Sequence, residues 1–272
     1  MLRSLTADKT WQVMGIVNVT PDSFSDGGRL ADRDTLASHI GELIEAGADI
    51  LDIGGESTRP NATPISTEEE LERVLPAIGL ARDLGPDIPV SIDTTKAAVA
   101  RAALAAGATA INDISALEHD PAMLPLAVEK NCPLVIMHRQ GTPDVMQRAP
   151  AYVDVVAEVR AYLEERVAVL RRAGVRAEIT VDPGIGFGKT VRHNLLLLKH
   201  LRQFTGLGCP LLIGHSRKSF IGSTLDLDID ERDEATALLS AYSALQGAAI
   251  FRVHDVRRTV LALRMLEAIG RA

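Results

Sequence analysis

The chain has 272 residues and carries 29 Lys and Arg against 36 Asp and Glu, a formal charge of −7. That balance disfavours nucleic acid and anionic membrane as partners, so any basic site must be local. Aromatic content of 3% leaves few rings for single-strand stacking, and two cysteines, Cys132 and Cys209, cannot make a disulfide framework or a cysteine metal cluster.

The stretch from Met1 to Trp11 lacks the apolar core of a signal peptide, and no apolar run nears the ~18 residues that span a bilayer. A cytoplasmic enzyme is expected. Eight short apolar runs then follow: Val13–Val17, Ile50–Ile53, Val90–Ile92, Ala110–Ile111, Leu134–Met137, Ile179–Val181, Leu211–Ile213 and Ile250–Val253. Runs of this kind fit strands buried on both faces. Helical patterns lie between them. Glu68–Leu84 and Val153–Ala173 place apolar residues at three- and four-residue steps, and Ser66 or Thr67 suits the N-cap of the first. One unit recurs. Gly47, Gly107 and Gly247 each suit a helix C-cap before a strand, and five residues after them stand Asp52, Asn112 and Arg252. Eight strands without a Pro-, Gly- or Ser-rich linker predict an α/β chain of one domain over residues 1–272. The fold expected is a (β/α)8 TIM barrel, for which about 250 residues is typical. An open doubly wound sheet is the alternative.

In such a barrel the site lies at the C-terminal ends of the strands. Those ends read Asn18, Asp52, Asp93, Asn112, Met137-His138, Asp182, Gly214-His215 leading to Lys218, and Arg252 with His254. One polar residue closing a strand is ordinarily a helix cap; seven or eight converging on one mouth make a binding site. The ring is segregated. Asp93, Asn112 and Asp182 offer acceptors, whereas Lys218, Arg252 and His254 follow the two strands whose loops often hold phosphate in this fold. A substrate with a donor-rich polar head beside an anionic group is expected. Two polar loops, 18–28 and 54–61, follow the first two strands and are expected to bind ligand or act as lids. The stretch from Gly184 to Thr190 imitates a P-loop, but Pro183 stands where the first glycine is needed, so no nucleotide site is expected there. Trp11 and the cysteines are expected at the barrel bottom, and His39, His119, His193 and His200 at the surface.

Together these segments resemble the dihydropteroate synthases, the pterin-binding family of the folate pathway. The likeness runs from Trp11 to the final helix. It rests on Met14 to Gly28, with Asn18-Val19-Thr20-Pro21-Asp22-Ser23-Phe24 inside it, and on Asp182-Pro183-Gly184-Ile185-Gly186-Phe187-Gly188-Lys189. Ser216-Arg217-Lys218-Ser219 and Arg252-Val253-His254-Asp255 complete it. The resemblance implies a homodimer that joins (7,8-dihydropterin-6-yl)methyl diphosphate to 4-aminobenzoate and releases diphosphate. It implies that Asp93, Asn112, Met137, Asp182, Phe187 and Lys218 hold the pterin. Asn18, Arg252 and His254 would take the diphosphate, with Mg2+ at Asn18. Phe24, Thr58, Arg59, Pro60 and Ser219 would shape the 4-aminobenzoate pocket. Asp93, Lys218, Arg252 and His254 are the residues expected to act in the chemistry, an SN1-like route through a pterin cation. The sequence departs from the family pattern at Asn61, where glycine is usual, and at Arg139, where methionine is common. A pterin-binding methyltransferase domain would share the barrel but needs neither the first loop's motif nor a diphosphate site at strand eight.

Overall fold

In the computed structural model, which describes residues 10–19, 28–57, 62–141, 146 and 149–272, all eight apolar runs are strands. They are β1 (Gln12–Asn18), β2 (Ile50–Gly54), β3 (Val90–Asp93), β4 (Ala110–Asp113), β5 (Leu134–Met137), β6 (Ile179–Asp182), β7 (Leu212–Ile213) and β8 (Ile250–Val253). Every pairing is parallel, in the order β6-β5-β4-β3-β2-β1-β8-β7. A parallel bridge between Val181 and Leu211 joins the two ends of that order. The sheet is therefore a barrel and not the open doubly wound alternative.

Helices α1 (Gly28–Glu45), α2 (Thr67–Leu84), α3 (Ala97–Ala105), α4 (Met123–Lys130), α5 (Val155–Ala173), α6 (Val191–Lys199), α7 (Ser219–Leu225) and α8 (Asp233–Leu245) lie between the strands, and α9 (Val256–Arg271) follows β8. Ser66 caps α2 as expected, its Oγ accepting from Glu69 N at 3.1 Å. The pattern placed the start of α5 at Val153. Asp154 caps it instead, Oδ1 accepting from Val156 N and Ala157 N at 3.0 and 3.1 Å, so the helix begins at Val155. The repeat's three glycines all have positive φ, between 94° and 113°, as a left-handed helix end requires.

Strand pleating sorts the interior into layers. Ile50, Ala110, Val135 and Ile250 face inward and pack with Met14, Leu212 and Ala249 as an apolar plug. Two residues further along the same strands stand Asp52, Asn112, Met137 and Arg252, the floor of the mouth. The larger core lies between strands and helices and includes Trp11. Cys132 and Cys209 are free, half-buried and just before β5 and β7, at the bottom.

Candidate active site

Arg252 organises one half of the mouth. Its Nε donates to Asp52 Oδ2 at 2.5 Å and its Nη2 to Asp93 Oδ2 at 2.6 Å. Asp52 is fully buried and also accepts from Asn112 Nδ2 at 3.0 Å and from the Ser91 hydroxyl. The polar residues of the repeat, Asp52, Asn112 and Arg252, thus meet at one carboxylate oxygen. Burial works against the Arg252 cation, but Asp52 and Asp93 outweigh it and raise its pKa. Burial raises the Asp93 carboxyl, with Arg252 opposing and Asp52 adding to the rise. Asp52 was not among the residues expected at the pterin; its signal was the repeat itself. Arg252 was expected at the diphosphate; its two ion pairs place it in the floor beside Asp52 and Asp93.

Asp182 dominates the other half. It is 5% exposed and its carboxyl is pushed up to about 6 by burial, against the Gly184 N–H and the nearby Lys189, Lys218 and Arg252 cations. Its Oδ1 accepts from Gly184 N at 2.7 Å. Gly184 has φ 70°, and a Cβ there would stand 1.9 Å from the His138 carbonyl oxygen, so only glycine lets this loop lie on the end of β5. Lys189 fastens the same loop from behind. It is buried, and its Nζ reaches His138 Nδ1 and the Phe187 carbonyl at 3.0 Å each. Burial lowers the Lys189 pKa to about 7, and burial with Lys189 lowers His138 to about 3. The sequence placed Lys189 in the family segment after β6 and in the stretch that imitates a P-loop, with no role assigned; in the structure it holds the Phe187 carbonyl. Phe187 packs with Met137, Ile114 and Met146, and Lys218 Nζ stands 4.0 Å above its ring. Burial and Arg252 lower Lys218 to about 8.

His254 follows β8. Its Nδ1 lies 2.9 Å from Ser216 Oγ, and burial, with Arg217 and Arg252 beside it, lowers its pKa to about 3. A cleft of about 620 Å³ opens here between α1 and α9, lined by His39, Arg217 and His254 among others. His39, expected at the surface, is half-buried with Nε2 3.2 Å from the Ile16 carbonyl oxygen. Asn18 ends β1, half-buried and opposite Gly54. Ser219 is the exposed first residue of α7. Arg139 borders a small cavity with Ser115, Glu118 and Tyr162, and its charge opposes the burial that raises Asp113. Phe24, Thr58, Arg59, Pro60 and Asn61 lie outside the described residues.

Of the expected residues, the structure brings Asp93, Asn112, Arg252 and Asp182 with Lys218, Phe187 and Met137 into one mouth, with His254 at its rim. The family of pterin binding enzymes matches residues 14–254. Dihydropteroate synthase of Escherichia coli is 46% identical over 94% of this chain and 90% of its own length. Dihydropteroate synthase of Xanthomonas albilineans, solved with 4-aminobenzoic acid, superposes with a TM-score of 0.91 at 44% identity, covering 98% of this chain and 96% of that one. The same enzyme solved with 7,8-dihydropteroate gives 0.88 at 42%, over 98% and 96%. The chain belongs to the pterin-binding enzymes and, within them, to the dihydropteroate synthases.

Proposed function

We propose that this mouth seats the dihydropterin head on Asp93, Asn112, Asp182 and Lys218, between Met137 and Phe187, and the diphosphate on Arg252, His254 and Asn18. Ser219, with Phe24, Thr58, Arg59 and Pro60 of the first two loops, takes 4-aminobenzoate. The reaction joins (7,8-dihydropterin-6-yl)methyl diphosphate to 4-aminobenzoate, giving 7,8-dihydropteroate and diphosphate. The observation that supports this reading most is one buried floor that carries both signs of charge: Arg252 is ion-paired to Asp52 and Asp93, and Asp182 stands near Lys218 and Lys189.

The chemistry follows from that arrangement of charges. The methylene–oxygen bond breaks and its electron pair leaves on diphosphate, whose charge Arg252 and His254 stabilise. The electron-rich dihydropterin shares the positive charge left on the methylene, and the Asp93 and Asp182 carboxylates favour it electrostatically. The amine nitrogen then forms the new bond and loses a proton to water. An arylamine is nucleophilic at neutral pH, so the route needs no strong base.

Mg2+ fits this chain as a partner of the diphosphate. Among the described residues no three His, Cys, Asp or Glu gather as a metal site, and Asn18 offers a single neutral oxygen. A hard cation that keeps waters and leans on phosphate oxygens suits so sparse a donor set. When bound it would neutralise part of the leaving group's charge.

We also infer a homodimer through α8 and α9, whose outer faces carry exposed apolar residues, Leu238, Leu245, Leu261, Met265 and Ile269 among them. No helix of the described residues is long and apolar enough to cross a membrane.

The test of the reaction is incubation with the pterin diphosphate, 4-aminobenzoate and Mg2+. One diphosphate is expected per dihydropteroate formed. Failure to form dihydropteroate would overturn the reading.

A further inference from the structure

We propose that Ser216 is a positioning residue that locks His254 in the tautomer carrying its proton on Nε2. The inference deepens the diphosphate assignment and rests on it for its functional half.

The argument is one of satisfying donors and acceptors. Ser216 is 5% exposed, and its Oγ accepts from the backbone N–H of His254 at 3.1 Å. The same Oγ stands 2.9 Å from His254 Nδ1. A serine hydroxyl has one proton and two lone pairs. If Nδ1 carried the ring proton, the hydroxyl would accept twice and its own proton would be left without an acceptor among the described residues. If Nδ1 is bare, the hydroxyl accepts from the backbone and donates to the ring, and every group is used. The second arrangement leaves the ring proton on Nε2, free to meet a ligand. It also requires a neutral ring. Burial, with the cations Arg217, Arg252 and Lys218 outweighing Asp233, keeps the ring neutral near pH 7.

The sequence spacing explains why this works. Ser216 follows β7 and His254 follows β8, and these strands are paired, with Ile213 opposite Phe251. Each side chain therefore leaves its strand three residues past a matched pair. Arg217, next to Ser216, is gripped by Asp233 of α8 through two bonds of 2.7 Å, so Ser216 is held from behind. The consequence is a fixed Nε2–H donor beside Arg252. A neutral donor adds a directed hydrogen bond to a phosphate oxygen without placing a third cation near Arg217 and Arg252.

The test reads the ring directly. In the nitrogen spectrum of the ligand-free protein labelled at histidine, and assigned with a His254→Gln variant, His254 is expected to show an unprotonated Nδ1 and a protonated Nε2. Ser216→Ala is expected to mix the tautomers and to weaken diphosphate binding roughly five- to tenfold, with affinity for the free pterin unchanged. Ser216→Thr keeps the hydroxyl and is expected to restore both. A protonated Nδ1 in the unsubstituted protein overturns the proposal, whether or not Ser216→Ala folds. So does an unchanged His254 signature in Ser216→Ala. The diphosphate assignment fails separately: His254→Gln binding diphosphate as tightly as the unsubstituted protein would remove the functional half and leave the tautomer result standing.

Discussion

Asp182 is a buried carboxylate whose proposed task depends on its charge. A pterin presents an amino group and a ring N–H, so in the proposed site the residue beneath it must accept. Replacement by Asn keeps the size but turns one acceptor into a donor. The loss expected for Asp182→Asn is roughly 2–4 kcal/mol of pterin affinity, from a charge-assisted bond removed and donors left unpaired. Titration also tests the assignment. Burial holds the Asp182 carboxyl at about 6, above its ordinary value. Below that value the protonated form prevails, and pterin affinity is expected to fall roughly fivefold between about pH 6 and about pH 5. Stability moves the other way. The folded state holds this proton more tightly than the unfolded chain, so the cost of the buried charge is present above about pH 6 and lifts as pH falls toward about 4. Calorimetry across this range, on the protein and on Asp182→Asn, separates the two trends. A variant with unchanged pterin affinity and a protein with flat pH dependence would together remove Asp182 from the site.

The loop after β6 shows how an element serves such a residue. Its glycines let it lie on β5, and Lys189 fastens it through His138 and the Phe187 carbonyl. Lys189→Met should leave those acceptors unpaired, free Phe187 and remove a cation that favours ionised Asp182. Pterin affinity is expected to fall, and its acid midpoint to rise above that of the unsubstituted protein. The lysine's own pKa, lowered to about 7, adds a second signature. Between about pH 7 and about pH 10 the unfolded chain binds a proton here that the folded protein does not, so stability gains with rising pH. The denaturation midpoint of the unsubstituted protein should therefore climb relative to Lys189→Met over that window; parallel curves would count against a buried lysine.

Elements of this kind were only half legible in the sequence. The eight strands could be read because each carries a short apolar run, and the repeat marked where three of them begin. Several of their ends could not, because Asn112, Asp113 and Asp182 continue the ladder with buried polar side chains whose partners, Asp52, Ser115 and the Gly184 N–H, lie outside the strand. The strand-end ring and the family segments include Asp52 and Lys189, but the roles of these two could not be read, because their partners lie far along the chain. Arg252 is 200 residues from Asp52, and Lys189 is 51 from His138. Only strand register brings them together.

At the scale of the whole molecule, α8 joins the site to the surface. Its inner face grips the loop after β7: Asp233 holds Arg217, and the Thr236 carbonyl accepts from the His215 ring. Its outer face is apolar at helical spacing, with Leu238 72%, Tyr242 39% and Leu245 57% exposed. On α9, which packs against α8, Leu261, Met265 and Ile269 form a second stripe, 59%, 64% and 67% exposed. Single exposed leucines are ordinary, but two adjacent stripes make a continuous patch of the kind that marks an interface. In the proposed homodimer a second copy would supply the same two stripes in reverse, a contact self-complementary about a two-fold axis. A standard interface buries about 800 Å² per partner, within reach of two helices laid side by side. Sedimentation is expected to give twice the chain mass at micromolar concentration, and Leu238→Glu, which puts a charge in the patch, is expected to give the single chain. Because a dimer stabilises the fold by mass action, Tm should rise with protein concentration in the unsubstituted protein and stay constant in Leu238→Glu. A single-chain mass for the unsubstituted protein, with Tm independent of concentration, would mean that the outer face of α8 meets only water.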